Sequence, residues 1–230
     1  MMTSIMIFSP HPDDAELCIG GFILEHSKKY RITIVNLTDG DYSHNGDDRR
    51  RESLKIQKQY MNIKYCFLGI KDFSINHLDE NQLKKVILLI RKLKPSIIIS
   101  PSEYDIHPDH KETSKLIKRG VYAAGTNIYR GNDDKHHCKY HFQYSQELFP
   151  KNEKIVYFDT TEVHSKKMDL LNNYKSQFCE GERTYLNSYL LNKIDTKDQL
   201  CGALVSTEFA EQLILIEGEL IFDNIFKAFN

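Results

Sequence analysis

Tryptophan is absent from this 230-residue chain, and cysteine is scarce: five residues, at positions 18, 66, 138, 179 and 201, with no CxxC pair. An odd, scattered set of thiols excludes a secreted disulfide framework and fits a reduced, cytoplasmic setting. Also missing is any apolar run near the ~18 residues of a membrane span. The N-terminus has no basic segment ahead of its short apolar stretch, so neither a signal peptide nor a membrane partner is expected. Nor does one charge predominate: 31 Lys and Arg against 32 Asp and Glu give a net charge of -1. A nucleic-acid partner is therefore not expected, since such binders are usually basic. Without tryptophan, thirteen tyrosines and twelve phenylalanines supply the large core side chains. They need no stacking role to explain their number.

What is present alternates. Residues 5–8, 32–37, 65–68 and 97–99 read as strands, rich in isoleucine and other apolar residues. Between them, residues 14–29 carry a helical stripe of Ala15, Cys18, Ile19, Phe22, Ile23 and Leu24. Residues 47–61 form a charged helix with Asp47 and Asp48 at its positive end. Residues 80–93 form an amphipathic helix stopped by Pro95. This order predicts an α/β fold: a Rossmann-like, mostly parallel sheet with helices on both faces. Beyond Ala124, residues 151–159 read as a strand, and 161–174, 187–194 and 200–215 as helices, a C-terminal elaboration. No repeat, linker or low-complexity tract divides the chain, so residues 1–230 are read as one domain.

Two short stretches carry the chemistry. Ser9-Pro10-His11-Pro12-Asp13-Asp14-Ala15-Glu16 joins the first strand to the first helix, and Asp105-Ile106-His107-Pro108-Asp109-His110 follows the strand at 97–99. Ligands of an open α/β sheet bind at the carboxyl ends of its strands, so both stretches are expected to open on one crevice. Taken singly, each has an ordinary reading: a loop, a helix start, an aspartate pair serving as N-cap. Their co-occurrence, each with His and Asp after an apolar strand, favours a metal site. His11, Asp14 and His110 make a two-histidine, one-carboxylate set that leaves a coordination position open, as in catalytic zinc sites. Non-haem Fe(II) uses the same set, so Zn2+ is expected and Fe2+ is compatible. A cation there lowers the pKa of a coordinated water to roughly 7. Asp13 is placed to act as general base. Pro108 suits the first turn of a helix, which puts His107 just ahead of it, free to hydrogen-bond an oxyanion as imidazolium, with Asp109 holding that ring.

These residues resemble the PIG-L/LmbE family of metal-dependent de-N-acetylases, most closely its N-acetylglucosaminyl-malate deacetylases and related sugar deacetylases. The resemblance runs from Ile5 to about Phe209. It implies an LmbE-like fold, His11, Asp14 and His110 as zinc ligands, Asp13 as base, and His107 with Asp109 at the oxyanion. It adds the substrate class, an N-acetylated amino-sugar conjugate, and leaves room for a homo-oligomer. Asn45-Gly46 followed by Arg50 and Glu52 resembles the segment whose arginine contacts sugar hydroxyls, with Arg51 the alternative to Arg50. Asp72 resembles the family's sugar-binding aspartate, and Tyr174-Lys175-Ser176-Gln177-Phe178 a structural segment. Where related deacetylases carry Tyr-Ala-Glu-x-Phe, this chain has Val205-Ser206-Thr207-Glu208-Phe209, without the tyrosine.

The function expected is zinc-dependent removal of an acetyl group from an N-acetylglucosamine-type conjugate. The alternatives are a metal-dependent hydrolase of a non-sugar amide or ester, and a non-catalytic metal-binding relative. His136, His137, Cys138 and His141 offer ligand types in a polar run and read as a solvated loop. Arg49, Arg50 and Arg51 lie among Asp47, Asp48 and Glu52 and read as a charged helix face.

Overall fold

The computed structural model describes residues 4–40, 46–127, 129, 134–149, 153–178 and 184–218. Five strands pair in parallel: β1 (Ser4–Ser9), β2 (Arg31–Thr38), β3 (Ile63–Ile70), β4 (Ile97–Pro101) and β5 (Tyr140–Tyr144). Beyond β5, strand β7 (Ala210–Glu217) runs antiparallel and is flanked by β6 (Ile155–Asp159). The order across the seven-stranded sheet is β3-β2-β1-β4-β5-β7-β6. Strand order therefore reverses between β1 and β4, and their carboxyl ends flank the crevice of a doubly wound sheet.

Side-chain alternation divides the core in two. Ile5, Ile7, Ile32, Ile34, Ile97 and Ile99 point to one face. There they meet α1 (Asp14–His26), Ile56 of α2 (Gly46–Gln59), and residues of α5 (His164–Leu171), α6 (Lys175–Phe178) and α7 (Thr184–Val205). Met6, Phe8, Val35, Leu37 and Ile98 point to the other face, covered by α3 (Glu80–Leu93) and α4 (Pro108–Ala124). The α3 helix shows how local sequence sets its own limits. Asp79 Oδ1 caps it by accepting from the backbone N–H groups of Asn81 and Gln82. Leu83, Val86, Ile87 and Ile90 form the buried stripe, and Lys94 in a left-handed conformation ends the helix before Pro95.

Three expectations for the C-terminal half are corrected. Residues 200–215 are not one helix: α7 stops at Val205, Ser206 turns the chain at φ 64°, and β7 follows. A run such as Leu213-Ile214-Leu215 suits a buried strand as well as a helix, and periodicity alone does not separate them. His141 is not in a solvated loop but in β5, buried, with Nε2 2.9 Å from Ser100 Oγ. Burial pushes its pKa down to about 4. Gln143 likewise donates to Ser114 Oγ at 2.8 Å. Serines thus satisfy the polar residues of this strand, whose composition resembles a loop although it is interior. The predicted 161–174 helix is a short 3-10 turn, Thr161–Val163, followed by α5. Asn45 and Cys179 lie outside the described residues.

Helix α1 is broken at Ile19 (φ -140°, ψ 32°). Glu211 from β7 fills the break, its carboxylate accepting from the N–H groups of Gly21 at 2.8 Å and Phe22 at 2.7 Å. Lys167 Nζ bonds both Asp198 Oδ2 (2.5 Å) and Glu211 Oε1 (2.7 Å), and all three side chains are fully buried. Lys167→Met would strand two carboxylates in the interior. Breaking a buried pair in this way costs about 3–5 kcal/mol, so the urea midpoint of Lys167→Met is expected to fall markedly. An unchanged midpoint would show that the triad is not what holds α5, α7 and β7 to α1.

Candidate metal centre

Both chemical stretches reach the same cavity, an opening of about 330 Å³ whose lining includes His11, Asp13, Asp14, Asp105, His107 and His110. β1 delivers the first stretch and β4, its parallel neighbour, the second. Asp14 sits in the first turn of α1 and satisfies the buried backbone of its own loop, Oδ2 accepting from His11 N–H at 3.0 Å. The same oxygen lies 3.0 Å from His11 Nδ1 and 3.2 Å from His110 Nε2. One ligand atom from each of His11, Asp14 and His110 falls within 4.8 Å of the others.

The far side of each imidazole is also tied. His11 Nε2 lies 3.1 Å from Asp109 Oδ2, and His110 Nδ1 lies 2.8 Å from Asp105 Oδ2. A ring nitrogen held by a carboxylate fixes the tautomer that turns the other nitrogen toward a cation. The donor set and its supports therefore fit a metal ion. A second grouping, His11, His107 and Asp109, meets the same 4.8 Å limit. Its atoms are more committed: Asp109 Oδ2 also accepts from Phe73 N–H at 2.8 Å, and His107 Nδ1 accepts from Asp109 N–H at 3.2 Å.

Electrostatics set neighbouring groups apart. Burial depresses His11 and His110, but the bonds to Asp109 and Asp14 outweigh it for His11, raising it to about 9. For His110, the charge of Asp14 and the bond to Asp105 raise it to about 10. Burial opposes ionisation of Asp14, yet His110 and His11 hold it well below the usual carboxylate range. Asp13 goes the other way, pushed up to about 8 by burial despite the opposing charge of Arg49. Its backbone is unusual, with φ 111° in a non-glycine residue. It occupies the N-cap position of α1 but makes no side-chain cap bond, and its side chain lines the cavity.

Three residues stand differently from the expectation. Asp109 turns its carboxylate to His11 and Phe73, and only its backbone N–H reaches the His107 ring. Burial and the positive fields of His110 and His11 lower the His107 pKa, and its Nδ1 accepts from the Asp109 N–H. Arg50 lies over the Phe67 ring and 3.6 Å from Asp39, and Arg51 pairs with Asp48 at the surface. The arginine that lines the cavity is Arg49, together with Asp72. It passes over Gly40, where φ is +72° and a Cβ would lie 2.8 Å from Arg49 Cδ. Sequence reasoning gave no role to Arg49, Asp105 or Gln146, which also line the cavity. Asp105 had a usable signal, since a ligating histidine needs a carboxylate or carbonyl behind it.

Glu16 and Tyr174 lie beneath this layer. Glu16 Oε1 accepts from Tyr65 OH at 2.5 Å and Tyr174 OH at 2.8 Å. Glu52 accepts from Ser176 N–H and Oγ. The 174–178 segment thus braces α1 and α2 from behind. Residues 205–209 lie away from the site, with Phe209 stacked on His164 at 3.7 Å.

A family model described as PIG-L, GlcNAc-PI de-N-acetylase, matches residues 6–121. A protein described as a probable N-acetyl-α-D-glucosaminyl L-malate deacetylase 2 from Bacillus subtilis is 26% identical over 93% of this chain and 96% of its own. A diacetylchitobiose deacetylase from Thermococcus kodakarensis is 26% identical over 81% and 74%. Among solved structures, the conserved protein TT1542 from Thermus thermophilus superposes with a TM-score of 0.81 at 22% identity, covering 93% and 94% of the two chains. Among the described residues no helix is long and apolar enough to cross a membrane.

A cation entering this site must displace the protons that hold His11 and His110 charged at neutral pH, because their pKa values lie near 9 and 10. Affinity for a probe such as Zn2+ is therefore expected to rise with pH up to that range, with up to two protons released per ion. Calorimetric titrations at pH 7 in buffers of different ionisation enthalpy count those protons. A count near zero would contradict the assignment.

Proposed function

Because the chain belongs to the PIG-L de-N-acetylase family, we propose that it is a zinc-dependent hydrolase that removes the acetyl group from an N-acetylglucosamine-type sugar conjugate. The observation that carries this reading is the Asp13 carboxylate, held by an unusual backbone, unused as a helix cap, and directed to the same cavity as His11, Asp14 and His110. A mere binding site has no need of that extra acid. His11, Asp14 and His110 would hold Zn2+, which when bound would supply a water of lowered pKa and a Lewis acid for the amide carbonyl. Fe2+ suits the same residues.

The chain's own groups move the protons. Asp13 takes a proton from the attacking water and returns it to the amide nitrogen, whose departure as an amine requires it. Burial keeps the Asp13 carboxyl a weak enough acid for both tasks. His107 donates from Nε2 to the oxygen that gains charge, its Nδ1 being occupied by the Asp109 N–H. Asp109 and Asp105 orient the ligand imidazoles. Arg49 and Asp72 offer a donor and an acceptor to sugar hydroxyls on the cavity wall, taking the part first assigned to Arg50 and Asp72.

The test couples metal analysis to amine release from N-acetylglucosaminyl-malate, diacetylchitobiose, free N-acetylglucosamine and simple acetamides. Zinc-dependent release from a sugar derivative is expected, lost with a chelator and regained with zinc. Release from acetamides alone would favour a non-sugar amidase, and inert zinc-loaded protein would favour a non-catalytic relative. Asp13→Ala is expected to keep one zinc per chain and lose roughly 10²–10⁴ of the turnover. Full activity in that zinc-loaded variant would remove Asp13 from the mechanism. His110→Ala should lose the metal, whereas His107→Ala should retain it and turn over slowly; the reverse would mean the two histidines exchange roles.

A further inference from the structure

The mouth of the cavity carries an aromatic residue whose backbone is set with unusual care. Phe73 has φ 57°, a left-handed conformation that bulky side chains rarely adopt. Its N–H donates to Asp109 Oδ2, the oxygen that also holds His11 Nε2. The turn presenting Phe73 is thus fastened to the carboxylate that orients a metal-ligand candidate. The ring lines the cavity with its centroid 5.2 Å from that of His107, and 55% of the residue is exposed. Ile106, 82% exposed, lines the same cavity. Two large apolar residues left open beside a polar cleft mark a contact surface rather than core.

We propose that Phe73 is a specificity-determining platform for a second ring, so that the substrate's aglycone presents an apolar ring face, saccharide or aryl, and is not a small dicarboxylate. The inference rests on the N-acetyl amino-sugar reading and narrows it. Charge points the same way. Inside the cavity the acids Asp13, Asp14, Asp72 and Asp105 face His11, His110 and Arg49, whereas the mouth is made by the apolar Phe73 and Ile106. Arg49 stands over Gly40 and acts on Asp13, so its charge is committed inside the cleft. An aglycone with two carboxylates would meet an apolar rim that offers it no charged partner, whereas an uncharged ring meets a matching surface. An aromatic contact of this kind distinguishes ligands by about three- to tenfold.

The absence of tryptophan supplies a direct probe. In zinc-loaded Phe73→Trp, the sole indole is expected to change emission saturably with chitobiose, the deacetylated disaccharide, and to be unmoved by glucosamine. Phe73→Gly accepts the left-handed conformation, so it tests the platform without straining the turn. Its kcat/KM on diacetylchitobiose is expected to fall about tenfold through KM, with free N-acetylglucosamine unaffected. Equal effects on both sugars, no effect on either, or a silent indole while calorimetry registers chitobiose binding would overturn the proposal. So would a wild-type preference for the malate conjugate over the disaccharide. A zinc-loaded wild type inert on every N-acetyl sugar would sink the function reading and this inference together; an active enzyme indifferent to residue 73 would sink this inference alone.

Discussion

One carboxylate oxygen, Asp14 Oδ2, lies 3.0 Å from His11 Nδ1 and 3.2 Å from His110 Nε2. The two rings come from opposite sides of the sheet's switch point, one after β1 and one after β4. Their separation in sequence is nearly a hundred residues, and only the reversal of strand order beside β1 makes them neighbours. The rest of the architecture can be understood as support for that meeting. Isoleucines on both strands lock their register, the Glu16–Tyr65–Tyr174 cluster fills the space behind α1, and Glu211 stabilises the break in α1 from across the molecule.

Adjacent aspartates of one motif acquire opposite characters from their surroundings. Asp14 faces two imidazoles that hold it ionised, whereas burial pushes the Asp13 carboxyl up, against the opposing charges of Arg49 and His11, and makes it the stronger base of the two. Residues pushed apart in this way are how one site provides both a ligand and a proton carrier. The histidines show the same economy. Each ring spends one nitrogen on a carboxylate and keeps the other for the centre, while His107 spends its Nδ1 on capping α4 and keeps Nε2 for the cavity.

The parallel half of the sheet was legible because its strands and helices have distinct periods and clear stop signals, as at Asp79 and Pro95. Both motifs were legible because histidine and aspartate at a strand end have few structural uses in combination. The C-terminal half was less so. β5 alternates aromatic and polar residues whose partners, Ser100 and Ser114, lie far away in sequence, and β7 carries an apolar run that suits helix or strand. Arginine choice also escaped the sequence. In Arg49-Arg50-Arg51 successive residues leave a helix about 100° apart, so a shift of one residue leads from a surface ion pair to the cavity wall. Asp109 shows a related effect: sequence proximity pairs it with His107, whereas the fold brings its carboxylate to His11, in the loop after β1.

The central claim is that one cation sits among His11, Asp14 and His110 rather than on the other side of the His11 ring. Anomalous diffraction from crystals loaded with one equivalent of Zn2+ tests it directly. A single peak bounded by His11 Nδ1, Asp14 Oδ2 and His110 Nε2 is expected. A peak between His11, His107 and Asp109, or none in the cavity, would contradict it.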